Sequence, residues 1–150
     1  MPSRDAGITL SCQLVDLKDP NASLARALLP AAPTCPLHIL ELGTGCGMVG
    51  ITLAQLFPNA KVILTDLLLA QDIVQRNISQ VSKLQDSSLE FVELDWNVNL
   101  ASQLPPTSDL IDLVIATDCT YNSDSRYVAC HYGIIKLLWA LYLIPNPAQH

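Results

Sequence analysis

Four acidic residues, Glu41, Asp66, Asp95 and Asp118, each stand at or just past the end of a short apolar run. Asp66, at the end of the second of these runs, can accept hydrogen bonds from both hydroxyls of a ribose. Between the first two lies Gly43-Thr44-Gly45-Cys46-Gly47, followed by Met48-Val49-Gly50. Glycine serves where a turn needs φ > 0 or where a ligand must approach the backbone closely. A helix behind that turn offers unpaired N–H groups and the positive end of its dipole. The corner therefore suits a nucleotide-like ligand carrying an anionic group.

Each of these residues also has a plainer reading. The glycines can make a tight strand–helix turn with no ligand. Asp66 can cap the segment that follows it. Trp96, next to Asp95, can pack in the core rather than against a base. Asp118-Cys119-Thr120-Tyr121 can be a polar loop with a buried tyrosine, although in an open α/β sheet ligands sit beyond the carboxyl ends of the strands.

The elements that must position these groups alternate along the chain. Leu37–Leu42 reads as a strand and Met48–Phe57 as a helix ended by Pro58-Asn59. Lys61–Asp66 is a second strand, Leu68–Val81 a helix, and Leu89–Leu94 a third strand. Asn97–Leu104 is a short helix stopped by Pro105-Pro106, and Leu110–Thr117 is a fourth strand. Strands alternating with helices imply right-handed crossovers and a parallel sheet. Runs such as Val62-Ile63-Leu64 and Leu113-Val114-Ile115 fit strands covered on both faces. The expected fold class is thus α/β, a Rossmann-like doubly wound sheet of order 3-2-1-4. Before it, Ile8–Val15 reads as a strand, and a helix starts at Asn21-Ala22-Ser23 and runs to about Leu29. After it, Arg126–Ile144 is apolar nearly all round and reads as a helix that must be buried or bind something.

Composition narrows the function. The 150 residues carry a formal net charge of −6 and only eight Lys and Arg, with no basic run. A phosphate-tracking nucleic-acid surface is not expected. The longest apolar stretch, Gly133 to Ile144, is interrupted by Lys136 and is too short to span a bilayer. Polar residues and Asp5 stand where a signal peptide would be apolar. Five cysteines occur singly, with no C-x-x-C pair and no histidine at zinc spacing. Scattered thiols in an odd number point to the reducing cytoplasm or nucleus, and no metal is expected.

Register separates the ligand classes. Gly45-Cys46-Gly47-Met48-Val49-Gly50 satisfies the dinucleotide pattern G-x-G-x-x-G. The apolar strand ends at Leu42, however, so the turn begins at Gly43, and Glu41 with Gly43, Gly45 and Gly47 satisfies E-x-G-x-G-x-G. The second pattern resembles the first motif of class I S-adenosylmethionine (AdoMet) methyltransferases. Glu41–Ile51, Leu64-Thr65-Asp66-Leu67, Arg76-Asn77, Leu94-Asp95-Trp96 and Asp118-Cys119-Thr120-Tyr121-Asn122 together resemble the family 16 protein-lysine methyltransferases over about residues 21–125. The resemblance implies AdoMet as cofactor and a protein substrate with a target lysine. Glu41, Gly43, Thr44, Gly45 and Gly47 would hold its methionine end, Asp66 the ribose, and Asp95 with Trp96 the adenine region. Asp118 and Tyr121 would border the substrate amine as catalytic residues.

Two departures qualify the match. Pro20 stands near the place where the family has a tryptophan. Beyond about Ser125 the expected strands give way to the apolar tail. The sequence therefore reads as an N-terminal segment (1–36), an AdoMet-binding core (37–125) and an atypical helical tail (126–150), with truncation after the fourth strand. Strand 4 would lie at an open edge, prone to self-association. The rival readings are an inactive AdoMet-binding or interaction module acting through the tail, a small-molecule methyltransferase, and a dinucleotide oxidoreductase.

Overall fold

The structure is a computed structural model, and it describes residues 6–29, 36–82, 84, 86–95, 97–98, 102–103, 111–117 and 137–139. Five strands form one parallel sheet: β1 (His38–Leu42), β2 (Lys61–Asp66), β3 (Ser88–Glu93), β4 (Leu113–Ala116) and β5 (Leu137–Trp139). Their spatial order is β3-β2-β1-β4-β5. The register pairs Leu42 with Thr65 on one side and with Ala116 on the other. The carboxyl ends of β1, β2 and β4 therefore meet along one edge. The chain reverses direction across the sheet between β1 and β4, and that is where ligands bind in doubly wound folds.

Successive residues of each strand point to opposite faces. Ile39, Val62, Leu64, Leu113 and Ile115 join one buried cluster, while Leu40, Leu42, Ile63, Val114 and Ala116 join another. This two-sided burial explains the unbroken apolar runs in β2 and β4. Helix α3 (Met48–Leu56) packs Val49, Leu53 and Ala54 into the first cluster, and α4 (Gln71–Ser79) adds Val74. Asn59 takes φ 61° in the turn after α3, leading directly into β2. Ser87 closes the opposite end of the sheet: its hydroxyl donates to the Phe57 carbonyl at 2.7 Å and accepts from Ala60 N–H at 3.1 Å. At the same end, His38 N–H donates to Asp112 Oδ2 at 2.9 Å, and Asp112 N–H donates to the His38 carbonyl at 2.9 Å, across 74 residues.

The 3-2-1-4 order agrees with the sequence, as do the strands and helices from β1 to β3 and the helix at α2 (Ser23–Leu28). The N-terminal segment differs. Residues expected to form a strand instead make α1 (Ala6–Gln13) and a tight helical turn (Leu14–Lys18). The reason is spacing. Leu10, Leu14 and Leu17, at i, i+4 and i+7, are buried in the core, whereas Ile8 and Val15 are about half exposed. Burying each leucine contributes about 1.5–3 kcal/mol, which outweighs the β propensity of Ile8 and Val15. Helix α1 lies against α3.

The tail also differs. Residues 137–139, expected to be helical, form β5 and pair parallel with β4, Val114 with Leu137 and Ala116 with Trp139. The edge that the sequence reading left open is therefore filled. An unpaired edge exposes a row of N–H and C=O groups, and an apolar run with no polar face suits a strand as well as a helix. The remainder of 126–150 lies outside the described residues, as does most of the expected helix Asn97–Leu104. No helix among the described residues is long and apolar enough to cross a membrane.

Candidate functional site

The turn from β1 into α3 has three glycines with positive φ: Gly43 at 63°, Gly45 at 58° and Gly47 at 81°. A side chain at any of them would be strained. Gly47 precedes the first residue of α3 with no side-chain cap, and in the first turn of the helix the Gly50 N–H is taken by Glu41 instead. Gly45 is exposed, and a Cβ built on it meets no atom of the described residues within 4 Å. Among the described residues, open space therefore lies over the middle of the turn.

Carboxylates from two adjacent strands hold this turn. Glu41 in β1 is buried, and its Oε2 accepts from Thr44 Oγ1 at 2.7 Å and from Gly50 N–H at 2.9 Å. Asp66, at the end of β2, accepts from Gly45 N–H at 2.8 Å through Oδ2 and from Leu67 N–H at 2.8 Å through Oδ1. Thr44 N–H donates to the Thr65 carbonyl at 2.9 Å, and the Thr65 hydroxyl donates to the Glu41 carbonyl at 2.7 Å. Burial pushes the Glu41 carboxyl up from its ordinary 4.5 to about 7, opposed by the Thr44 and Gly50 hydrogen bonds and assisted by the nearby charge of Asp66.

Asp66 is only partly buried. Among the described residues each of its oxygens takes one hydrogen bond and has capacity for another, so a ribose hydroxyl can be added. Asp95 lies just beyond β3, partly buried, with Oδ1 accepting from Asn97 N–H and Asn97 Nδ2, both at 2.9 Å. Gln103 brackets its backbone: Asp95 N–H donates to Gln103 Oε1 at 2.8 Å, and Gln103 Nε2 donates to the Asp95 carbonyl at 2.9 Å. Leu67, Leu68 and Leu69 follow Asp66 and are exposed, Leu69 by 93%. They form an apolar lip beside the carboxylate.

The structure thus brings Glu41, Gly43, Thr44, Gly45, Gly47 and Asp66 together at the carboxyl ends of β1 and β2. Trp96, Asp118 and Tyr121 lie outside the described residues. Glu41 and Thr44 differ from the rest in direction: their side chains are buried against each other, so they shape the turn from within.

Gly50 has a part that the glycine pattern alone does not disclose. A Cβ there would collide with the Leu64 side chain and stand 2.7 Å from Glu41 Oε2 and 3.2 Å from Val62 Cγ1. Gly50 lets α3 sit directly on β1 and β2, and its N–H reaches Glu41. A glycine inside an apolar helix costs about 1 kcal/mol against alanine, and that cost was the available signal of a close approach. Gln103 carried no comparable signal.

A doubly wound α/β sheet with a glycine turn and a ribose-ready acid at its reversal point defines a nucleoside-cofactor domain. Its family follows from comparison. Residues 5–131 match the lysine methyltransferase family, and the chain belongs to that family. It is similar to protein-lysine methyltransferase METTL21E of Mus musculus, 36% identical over 85 residues, covering 56% of this chain and 34% of that protein. It is similar to calmodulin-lysine N-methyltransferase of Arabidopsis thaliana, 31% identical over 86 residues, 56% of this chain and 27% of that one. A UPF0665 family protein of Schizosaccharomyces pombe is 29% identical over 89 residues, 59% of this chain and 26% of its own length. The chain therefore spans about a third or less of the curated relatives it matches. AdoMet is the cofactor of the family, and the open space over Gly45 between Asp66 and the N-terminus of α3 fits such a group.

Proposed function

We propose that this chain carries the AdoMet-binding corner of an enzyme that methylates the ε-amine of lysine in a protein. The observation that supports it most is the glycine turn, open over Gly45 and held between Glu41 and Asp66 at the carboxyl ends of adjacent strands. In this reading the turn Gly43–Gly47 takes the methionine end, with Glu41 fixing it from behind. Asp66 takes the ribose hydroxyls, and Asp95 with Trp96 borders the adenine. Asp118 and Tyr121, which follow β4 in the chain, border the incoming amine.

The bound cofactor supplies an electrophilic methyl group on a sulfonium. What the protein must supply is alignment and a neutral amine. Lysine has a reference pKa of about 10.4, so its proton must leave before it attacks. Removal from water favours the neutral amine, and a carboxylate such as Asp118 can orient it. Holding the two reactants in line supplies most of the acceleration. No covalent intermediate on the enzyme is needed, so neither Cys46 nor Cys119 has to act as a nucleophile. The scattered cysteines fit work in the cytoplasm or nucleus.

Calorimetric titration with S-adenosylhomocysteine tests the cofactor half. Saturable one-to-one binding is expected, and a folded protein that takes up none overturns it. Incubation of cell proteins with the chain and isotopically labelled AdoMet tests the acceptor half by mass spectrometry. Label on lysine supports it, and label confined to small molecules overturns it.

A further inference from the structure

The peptide unit joining Cys46 to Gly47 is held at both ends. Its carbonyl oxygen accepts from Asn77 Nδ2 at 2.7 Å. Its N–H, on Gly47, donates to the Thr44 carbonyl at 2.9 Å. A peptide is planar, so two such contacts fix its orientation. That matters here because Gly45 and Gly47, at φ 58° and 81°, are residues whose backbone rotates freely. Without a clamp the plane between them has several low-energy directions. The partner of Asn77 is a carbonyl, an acceptor only, so the NH2 side of the amide must face it. Helix α4 is well seated to hold this donor. Val74, one turn before Asn77, is buried in the core, and its Cγ1 lies 3.5 Å from where a Gly47 Cβ would stand.

We propose that Asn77 is a positioning residue for the cofactor turn: through the Cys46 carbonyl it sets the plane of the Cys46–Gly47 peptide and holds the turn ready for ligand in the free protein. This rests on the reading of the turn as an AdoMet site. Asp66 and Asn77 hold two different peptides of the turn, with the Gly45–Cys46 peptide between them: Asp66 takes the N–H of the Thr44–Gly45 peptide, and Asn77 takes the C=O of the Cys46–Gly47 peptide. A preformed turn binds more tightly because less ordering remains to be done on binding.

The test uses Asn77→Asp, Asn77→His and Asn77→Ala in the full chain at pH 7.5. Aspartate keeps the shape and loses the donor, and histidine restores an N–H at similar reach. S-adenosylhomocysteine is the titrant, and the expected losses are about tenfold for Asp and Ala and under threefold for His, as one neutral hydrogen bond allows. Amide exchange of the ligand-free variants gives a second readout. The Gly45–Val49 amides should exchange faster in Asp and Ala than in wild type, with Leu53 and Val74 unchanged. Asp and Ala variants that fold, bind within twofold of wild type and keep wild-type exchange at the turn overturn the proposal. Equal losses across all three variants, His included, also overturn it, because they would reflect shape rather than a donor. Failure of the wild-type chain to bind overturns the cofactor reading itself, and the exchange at Gly45–Val49 still reports separately whether Asn77 holds the turn.

Discussion

Asp66 Oδ2 lies 2.8 Å from the amide nitrogen of Gly45, so the acid at the end of one strand latches the turn that leaves its neighbour. The two residues sit 21 positions apart and meet only because β1 and β2 are paired in register, Leu42 against Thr65. The carboxylate is thus both a potential ribose acceptor and part of the wall that shapes the rest of the site.

Asp66→Ala should therefore lose more than a ribose contact. A charge-assisted hydrogen bond contributes about 1.5–3 kcal/mol. Titration with S-adenosylhomocysteine should show at least a tenfold loss of affinity. Amide exchange at Gly45 should quicken in the ligand-free variant, a change that a residue serving the ribose alone would not produce.

Glu41 makes stability depend on pH in an unusual direction for a carboxylate. Its folded-state pKa, about 7, is above its ordinary 4.5, so the native state binds more protons than the unfolded state between those values. Its stabilising contribution is complete below about pH 4.5 and is lost as pH rises to about 7, with no further change above. Glu41→Gln removes the titration while keeping an oxygen acceptor for Thr44 and Gly50. Urea unfolding at pH 5.5 and pH 8 should show a smaller drop in midpoint for the variant than for wild type. Equal drops would assign the pH dependence to other groups.

Two glycine substitutions should separate ligand space from packing space. Gly45→Ala meets no neighbour and costs about 1–2 kcal/mol from backbone strain alone, but its methyl enters the open space and should weaken S-adenosylhomocysteine binding tenfold or more. Gly50→Ala collides with Leu64 and crowds Glu41, and should cost about 3 kcal/mol of stability or more. Chemical denaturation and calorimetry on the same samples give both numbers.

The helical N-terminus can be checked by a leucine and an isoleucine. Leu14→Ala should destabilise the fold by about 2–5 kcal/mol, since Leu14 is fully buried. Ile8→Ala, on the exposed side of α1, should fall within about 0.5 kcal/mol of wild type. A strand over Ile8–Val15 would put Ile8 and Leu14 on the same face and make their effects similar.

What the sequence disclosed and what it hid follow one physical line. The strand ends were legible because Leu42 and Asp66 each close an apolar run buried on both faces, and Leu94 closes a run in which apolar and acidic residues are interleaved. Their register was not needed to place the turn, since in a parallel sheet all carboxyl ends share one edge. Ile8–Val15 misled because a short run with three β-branched residues fits either period, and only burial of Leu10, Leu14 and Leu17 decides it. Leu137–Trp139 misled because an apolar run does not say whether a free sheet edge awaits it. The inward aim of Glu41 was hidden as well, because an acid at a strand end serves a ligand or a backbone equally well until Gly50 is seen to bring α3 within reach.

The His38–Asp112 pair has a kinetic side. β1 is the middle strand, and one of its edges stays unpaired until a segment 74 residues further on arrives. Such distant parallel pairings are slow to form. At a synthesis rate of roughly 5–20 residues per second, β1 waits about 4–15 s for β4. The glycine turn hangs from the end of that waiting strand, so its final shape belongs to the late part of folding. Pulse-labelled exchange during refolding should show protection at Leu40 and Gly50 arriving together with protection at Val114, after that of Leu53 in α3. Over that interval a nascent chain would be vulnerable to misfolding at the very strand from which the cofactor turn is suspended.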